Sequence, residues 1–171
     1  MSRKRRQRTN KQPPYHRQRF LCTAGEWRFC QKLEEAVGDR FTVMMQIRVG
    51  SLLRCSAEEW ERWGRRVSQK SFDFVLVERG SSFAAAAIEL DDKTHLLPER
   101  IARDRFLDDA CRRAGLPLIR FKTARRYDVD DIRDTVTTGV ANSSRTEKPS
   151  DPSPRKRNRR RLNWIWKRCA A

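Results

Sequence analysis

Thr23-Ala24-Gly25-Glu26 fits a capping box, with Thr23 as N-cap and Glu26 three residues on. Trp27, Phe29, Cys30, Leu33 and Val37 then recur near helical spacing, which predicts a helix ending near Gly38. Phe41 to Val49 is apolar and β-branched, with Gln46 as its polar interruption, and reads as a strand. Ser56 and Glu59 form a second capping-box pattern ahead of Trp60, Trp63 and Val67, one apolar helical face. The runs Phe72–Val77 and Phe83–Leu90 flank Gly80-Ser81-Ser82 and predict a hairpin. Ile101, Phe106 and Ala110 mark an amphipathic helix from Pro98, stopped at Gly115. Leu116–Phe121 reads as a buried strand, and Asp128–Val140 as a last helix capped by Asp128 or Asp130. The predicted order is α-β-α-β-β-α-β-α, without an internal repeat. Trp60, Trp63, Phe72, Phe74, Phe83 and Phe106 stand at helical or strand spacing and read as core residues rather than base-stacking groups.

The periodicity stops at both ends. Residues up to Leu21 lack it and include Pro13 and Pro14, while Ser143 to Pro154 is a Ser/Pro-rich linker before an Arg-rich end. This divides the chain into a disordered basic arm at 1–21, a folded domain at 22–141 and a linker with basic tail at 142–171. Charge follows the same division. The net formal charge is +17. Residues 1–20 contribute +8 without an acid, and residues 145–171 another +8, which leaves the middle nearly neutral. Arg3, Lys4, Arg5 and Arg6 at one end, and Arg155, Lys156, Arg157, Arg159, Arg160 and Arg161 at the other, are candidate phosphate contacts that release counterions on binding nucleic acid. The Leu162, Trp164, Ile165 and Trp166 that follow also suit an anionic membrane surface, but the neighbouring chemistry favours nucleic acid.

No stretch approaches the roughly 18 apolar residues that span a bilayer, and the N-terminus has no apolar run of the signal-peptide kind. Cys22, Cys30, Cys55, Cys111 and Cys169 are odd in number and scattered, and suggest neither a disulfide framework nor a zinc ribbon. A soluble cytoplasmic protein with reduced thiols is expected, with no membrane association.

The chemistry concentrates near the second strand of the hairpin. Glu89 and Asp91 project from one side of their strand while Ile88 and Leu90 project from the other. A hairpin turning at Gly80 brings Asp73 towards Glu89. Crowded half-buried carboxylates repel and raise one another's pKa unless a cation holds them, and Mg²⁺ with its oxygen ligands answers that problem. The plainer alternative is ion pairing of Asp73 and Glu89 with Arg at strand ends. His95 follows Asp91 by four residues, and Arg100, Arg103 and Asp104 follow on the next helix.

Thr23-x-x-Glu26, Asp73-Phe-Val-Leu76, Ile88-Glu-Leu-Asp-Asp-x-x-His95, Arg100-x-x-Arg-Asp104 and Ala114-Gly-Leu-Pro-Leu-Ile-Arg-Phe121 occur in this order. Together they resemble an uncharacterised bacterial family of the PD-(D/E)XK, restriction-endonuclease-like superfamily, similar to the very-short-patch-repair endonucleases. The resemblance runs from Thr23 to Phe121. It implies an α/β domain with an αβββαβ core, a mixed sheet flanked by helices, in which Asp73 and Glu89 are metal ligands with the Leu90 carbonyl near the ion. Glu26 matches the helix-one acid that often completes such a site, although the capping box explains it equally well. Asp91 stands where the superfamily pattern has its Lys, and Phe72 where it has Pro. Lys70, Lys93 or His95 is left to supply the missing positive or proton-transferring group, with His95 preferred.

The expected function is metal-dependent phosphodiester hydrolysis on DNA, with Mg²⁺ or Mn²⁺ held by Asp73 and Glu89, and with Asp91 and His95 positioning or shuttling protons. Arg100 and Arg103 would contact phosphate or fix the carboxylates. The alternatives are a catalytically inactive nucleic-acid-binding module on the same fold, and a regulatory protein whose arms bind acidic protein partners.

Overall fold

The structure, a computed structural model, describes residues 13–91 and 98–143. Residues 13–22 carry neither helix nor strand. Helix α1 (Ala24–Val37) opens with the predicted capping box, both of whose hydrogen bonds are present, and closes at Gly38. Strand β1 (Phe41–Arg48) leads into a single turn, α2 (Val49–Leu52). A π-helical turn at Trp60–Gly64 then runs into α3 (Arg65–Ser68). Strands β2 (Ser71–Glu78) and β3 (Ala84–Asp91) form the hairpin, with Gly80 at φ +79 in its loop. Helix α4 (Pro98–Arg113) is followed by β4 (Leu118–Lys122) and α5 (Val129–Ser143). Of the two predicted caps for α5, Asp128 is the one used: its Oδ1 accepts from the backbone N–H of Asp130 at 2.9 Å and Asp131 at 3.2 Å.

The four strands make one mixed sheet in the order β1-β2-β3-β4. The first two pairings are antiparallel, and β3 pairs with β4 in parallel. A parallel pair needs a crossover, which α4 supplies. Gly115, at φ +67, ends α4 in a left-handed conformation; the N–H of Leu116 donates to the Cys111 carbonyl and that of Gly115 to the Arg112 carbonyl.

Helices cover both faces of the sheet. One apolar layer joins α1 and α5 to the sheet through Phe29, Leu33, Phe74, Leu76, Ile88 and Ile132. The other joins α2, α3 and α4 through Val49, Val67, Phe72, Val75, Leu107 and Cys111. Phe72 and Phe74 are two residues apart yet pack in opposite layers, as do Met45 and Ile47 on the partner strand. Residues two apart on a regular strand share a face. Gln46 and Asp73 lie between the pairs Met45–Phe74 and Ile47–Phe72, and Gln46 has φ +53, so both strands change layer at this point.

Two expectations are corrected. The Ser56–Glu59 capping box does not form: the π-helical turn has Glu59 as N-cap without a side-chain cap bond, and the Ser56 side chain bonds that of Glu58 instead. The aromatic residues are not all core. Phe72 and Phe74 are fully buried, and Phe106 is partly buried against the second layer. Trp60, Trp63 and Phe83 are 44%, 37% and 57% exposed, because a π-helical turn and a hairpin loop replace the helix and strand whose spacing would have turned them inward.

Phe29 is fully buried and meets the rings of Phe74, Phe121 and Tyr127 at centroid distances of 5.4, 4.9 and 4.9 Å. Truncating a buried Phe costs about 3–5 kcal/mol. Phe29→Ala is therefore expected to lower unfolding stability by that amount in urea titration, while Phe83→Ala, on the exposed loop, should stay within about 0.5 kcal/mol of the parent.

Candidate functional site

Glu26 lies in the first turn of α1, Asp73 on β2, and Glu89 and Asp91 at the end of β3. Asp73 sits at the layer change on β2, and its Oδ2 accepts the backbone N–H of Leu90 at 2.8 Å, tying it to β3. The antiparallel ladder between β2 and β3 runs to Phe74–Ile88, one step beyond which lie Asp73 and Glu89. Burial raises the Asp73 carboxyl above its ordinary value; the Leu90 N–H opposes this, Glu26 and Asp91 add to the rise, and Arg120 lowers it.

Glu26 has two roles at once. Its Oε2 accepts the Thr23 N–H at 2.6 Å in the capping box, and its Oε1 accepts from Gln46 Nε2 at 3.3 Å. Helix α1 thus presents an acid to the place where β1 and β2 change layer. The left-handed backbone at Gln46 costs of order 1–3 kcal/mol for a residue other than Gly, and aims an amide at this acid.

Glu89 pairs in register with Arg120 on β4, and Asp91 with Lys122. Arg120 holds two acids. Its Nη1 donates to Asp91 Oδ1 at 2.9 Å, while Nη2 and Nε donate to Asp108 Oδ1 on α4 at 3.0 and 3.2 Å. Burial opposes the Arg120 charge, but Asp108 and then Asp91 outweigh it and raise its pKa. The strand end is fixed as well, since the Asp91 carbonyl accepts from the N–H and Oγ1 of Thr123 at 2.9 and 3.0 Å. One Glu89 oxygen is buried, and the Glu89 charge helps to raise the thiol of Cys111 on α4, which burial first and Asp108 next push up to about 12. Such a thiol is inert at neutral pH.

Glu26, Asp91 and Arg120 therefore all act on Asp73, while Glu89 stands beside Arg120 towards α4. Among the described residues, no three His, Cys, Asp or Glu side chains gather as a metal-holding group. Lys70 lies at the entry to β2, where its carbonyl accepts the Val49 N–H at 2.9 Å. Arg100, Arg103 and Asp104 fall on α4, with their side chains outside the described part. His95, Lys93 and the basic residues Arg3, Lys4, Arg5, Arg6, Arg155, Lys156, Arg157, Arg159, Arg160 and Arg161 lie outside the described residues. Arg120, Gln46 and Asp108 were not singled out from sequence. Arg120 carried a signal, a lone charge between Ile119 and Phe121 in an apolar strand; Gln46 carried a weaker one.

The model of a family described as "Protein of unknown function (DUF2726)" matches residues 18–139. The chain belongs to this family. The match takes in Glu26, Asp73, Glu89, Asp91, His95 and Arg120, and leaves the basic residues 3–6 and 155–161 outside it. No curated protein and no solved structure matches the chain.

A raised carboxyl pKa in the fold means that the folded state holds its proton more tightly than the unfolded chain. The stability from Asp73 is then fully present below the ordinary aspartate pKa and is lost as pH rises through the raised value. Asp73→Asn, which keeps an oxygen for the Leu90 N–H, is expected to raise the thermal midpoint at pH 7. That gain should shrink as the pH is lowered through the carboxylate range; thermal unfolding of both proteins across pH checks it.

Proposed function

We propose that this protein binds nucleic acid, foremost DNA, on a restriction-endonuclease-like αβββαβ core, and hydrolyses phosphodiesters with Mg²⁺ or Mn²⁺. The observation that carries this reading is the half-buried Asp73 carboxylate, held by the Leu90 N–H at 2.8 Å, to which Glu26 and Asp91 add negative charge and Arg120 positive. Its donors are oxygens, the chemistry that a hard divalent cation takes, with waters completing the shell where protein ligands are few. Asp73 and Glu89, with the Leu90 carbonyl, would hold such an ion. Once bound, it supplies a low-pKa water and polarises a phosphoryl oxygen.

The chain's own residues supply the rest. Arg120 brings a fixed positive charge to the place where the superfamily pattern has a Lys, and so meets the need left open by Asp91. Preorganised charge of this kind stabilises a developing phosphorane without reorganising during reaction. Asp91 and Asp108 hold the guanidinium in position. His95 offers or accepts the proton, the role an imidazole suits. Arg100 and Arg103 contact phosphate, and the two basic arms provide sequence-independent affinity.

The second reading is a binding module that has lost hydrolysis. It is favoured by the ion pair itself, since Asp91 is already neutralised by Arg120. Among the described residues no helix is long and apolar enough to cross a membrane.

Plasmid and oligonucleotide substrates incubated with Mg²⁺, Mn²⁺ or chelator separate the two readings. Metal-dependent cleavage is expected, with His95→Ala lowering it about 10²-fold or more and leaving DNA affinity unchanged. Mn²⁺ binding by calorimetry should weaken in both Asp73→Asn and Glu89→Gln; unchanged affinity in both removes the metal site. DNA binding without cleavage under any metal leaves the binding module.

The arms make a separate expectation. Replacing Arg3, Lys4, Arg5 and Arg6 together with Arg155, Lys156, Arg157, Arg159, Arg160 and Arg161 by Gln should lower DNA affinity and flatten its dependence on log salt concentration, because fewer counterions are released. An unchanged slope would assign the phosphate contacts to the folded domain.

A further inference from the structure

The π-helical turn and α4 enclose a groove of about 620 Å³, lined by Leu53, Trp60, Trp63, Val67, Phe106 and Arg113 among others. That volume lies within the roughly 300–1,000 Å³ of small-ligand sites. The domain buries Phe29, Phe72 and Phe74 completely, yet leaves Trp60 and Trp63 substantially exposed here. The rings of Trp63 and Phe106 are 5° from parallel with centroids 6.2 Å apart. The Arg66 guanidinium lies 3.9 Å from the Phe106 centroid and 5.7 Å from that of Trp63, and Arg62 lies 4.9 Å from Trp63. Arg54 and Arg113 are exposed on the groove walls. Glu59 and Asp109 also line it, but Asp109 is ion-paired with Arg112.

The backbone is shaped to hold this arrangement. A Cβ on Gly64 would come within 2.1–2.7 Å of Trp60 ring atoms, so a glycine is what lets the indole lie against the turn. π-Helical turns are rare and occur frequently at functional sites.

We infer that this groove takes an unpaired nucleobase of a single-stranded nucleic acid, stacked against the Trp60 and Trp63 indoles with its phosphate met by the surrounding arginines. Flat apolar rings interleaved with guanidinium groups match a base on its two faces and a phosphate at its edge, and stacking of this kind serves any base. Bases within a duplex already stack on one another and present no free face. The arginines favour a polyanion over an apolar helix or a second copy of this cationic chain. The inference rests on the nucleic-acid part of the proposed function and not on hydrolysis.

Fluorescence anisotropy of the full chain with a labelled oligothymidylate, its RNA counterpart and the matching duplex tests it, at one salt concentration and with chelator present. Trp60→Ala and Trp63→Ala are each expected to weaken single-strand binding by about 5- to 100-fold, the usual range for one lost stacked base. Duplex binding should change far less, and Trp63→Phe should retain most of the affinity. Ala114→Trp fills the groove from the exposed end of α4, leaves both indoles in place, and should weaken single-strand binding too. Circular dichroism of each variant verifies that it is folded. DNA and RNA strands bound equally support a site that reads the base alone, and a DNA preference supports one that also senses the sugar. Unchanged single-strand affinity in both Trp→Ala variants and in Ala114→Trp overturns the inference, as does an equal loss for duplex. Sedimentation showing that these variants instead abolish self-association assigns the groove to a second copy. Wild-type chain that binds no nucleic acid removes the proposed function itself, a result distinct from these.

Discussion

The parallel pairing of β3 with β4 is the constraint on which the site depends. It sets Arg120 beside Glu89 and within reach of Asp91, while α4, the crossover that parallel pairing demands, returns Asp108 to the same guanidinium. One cation thereby ties two strands to the helix that connects them. A slip of one residue would turn Arg120 into the layer now filled by Ile119 and Phe121, and bury a charge among apolar rings. The cost of that alternative makes the register strongly specified.

A second constraint acts at Gln46 and Asp73. An alternating strand would send Phe72 and Phe74 into the same layer and leave the other face without its large ring. The left-handed residue in β1 lets the paired strands change layer together, so each of the two cores receives a phenylalanine. The polar pair at the crossing is then held at the rim of both cores, where Glu26 at the start of α1 meets it. Bulges and similar irregularities re-aim side chains in this way beside functional sites. The Asp73 carboxylate is half-buried for this reason, and its raised pKa follows from the fold more than from any single neighbour.

The two sets of cationic residues in the chain differ in kind. Residues 1–20 and 145–171 carry charge without periodicity, the composition of sequence-independent phosphate binding. Arg62 and Arg66 lie instead against aromatic rings on a short turn whose geometry depends on Gly64.

Outside the segment from Val49 to Ser68, element order and type were legible in the sequence because local signals sufficed. The Thr23 capping box, the Gly80 and Gly115 turns, the Asp128 cap and the apolar runs each act within a few residues and agree with one another. The same holds for Glu89 and Asp91 sharing a strand face, which a period of two dictates. What tertiary structure decided was everything that requires two distant segments at once. Arg120 became a partner of Asp91 and Asp108 only through the β3–β4 register, since nothing near it in sequence is its counterion. Phe72 and Phe74 were separated into two layers by the backbone of a residue on another strand. Trp60 and Trp63 were left facing a groove because a wider helical turn replaced the α-helical period that their spacing implied. Hydrophobic periodicity states which residues can share a face if the backbone is regular, and only the packed chain determines where the backbone departs from regularity.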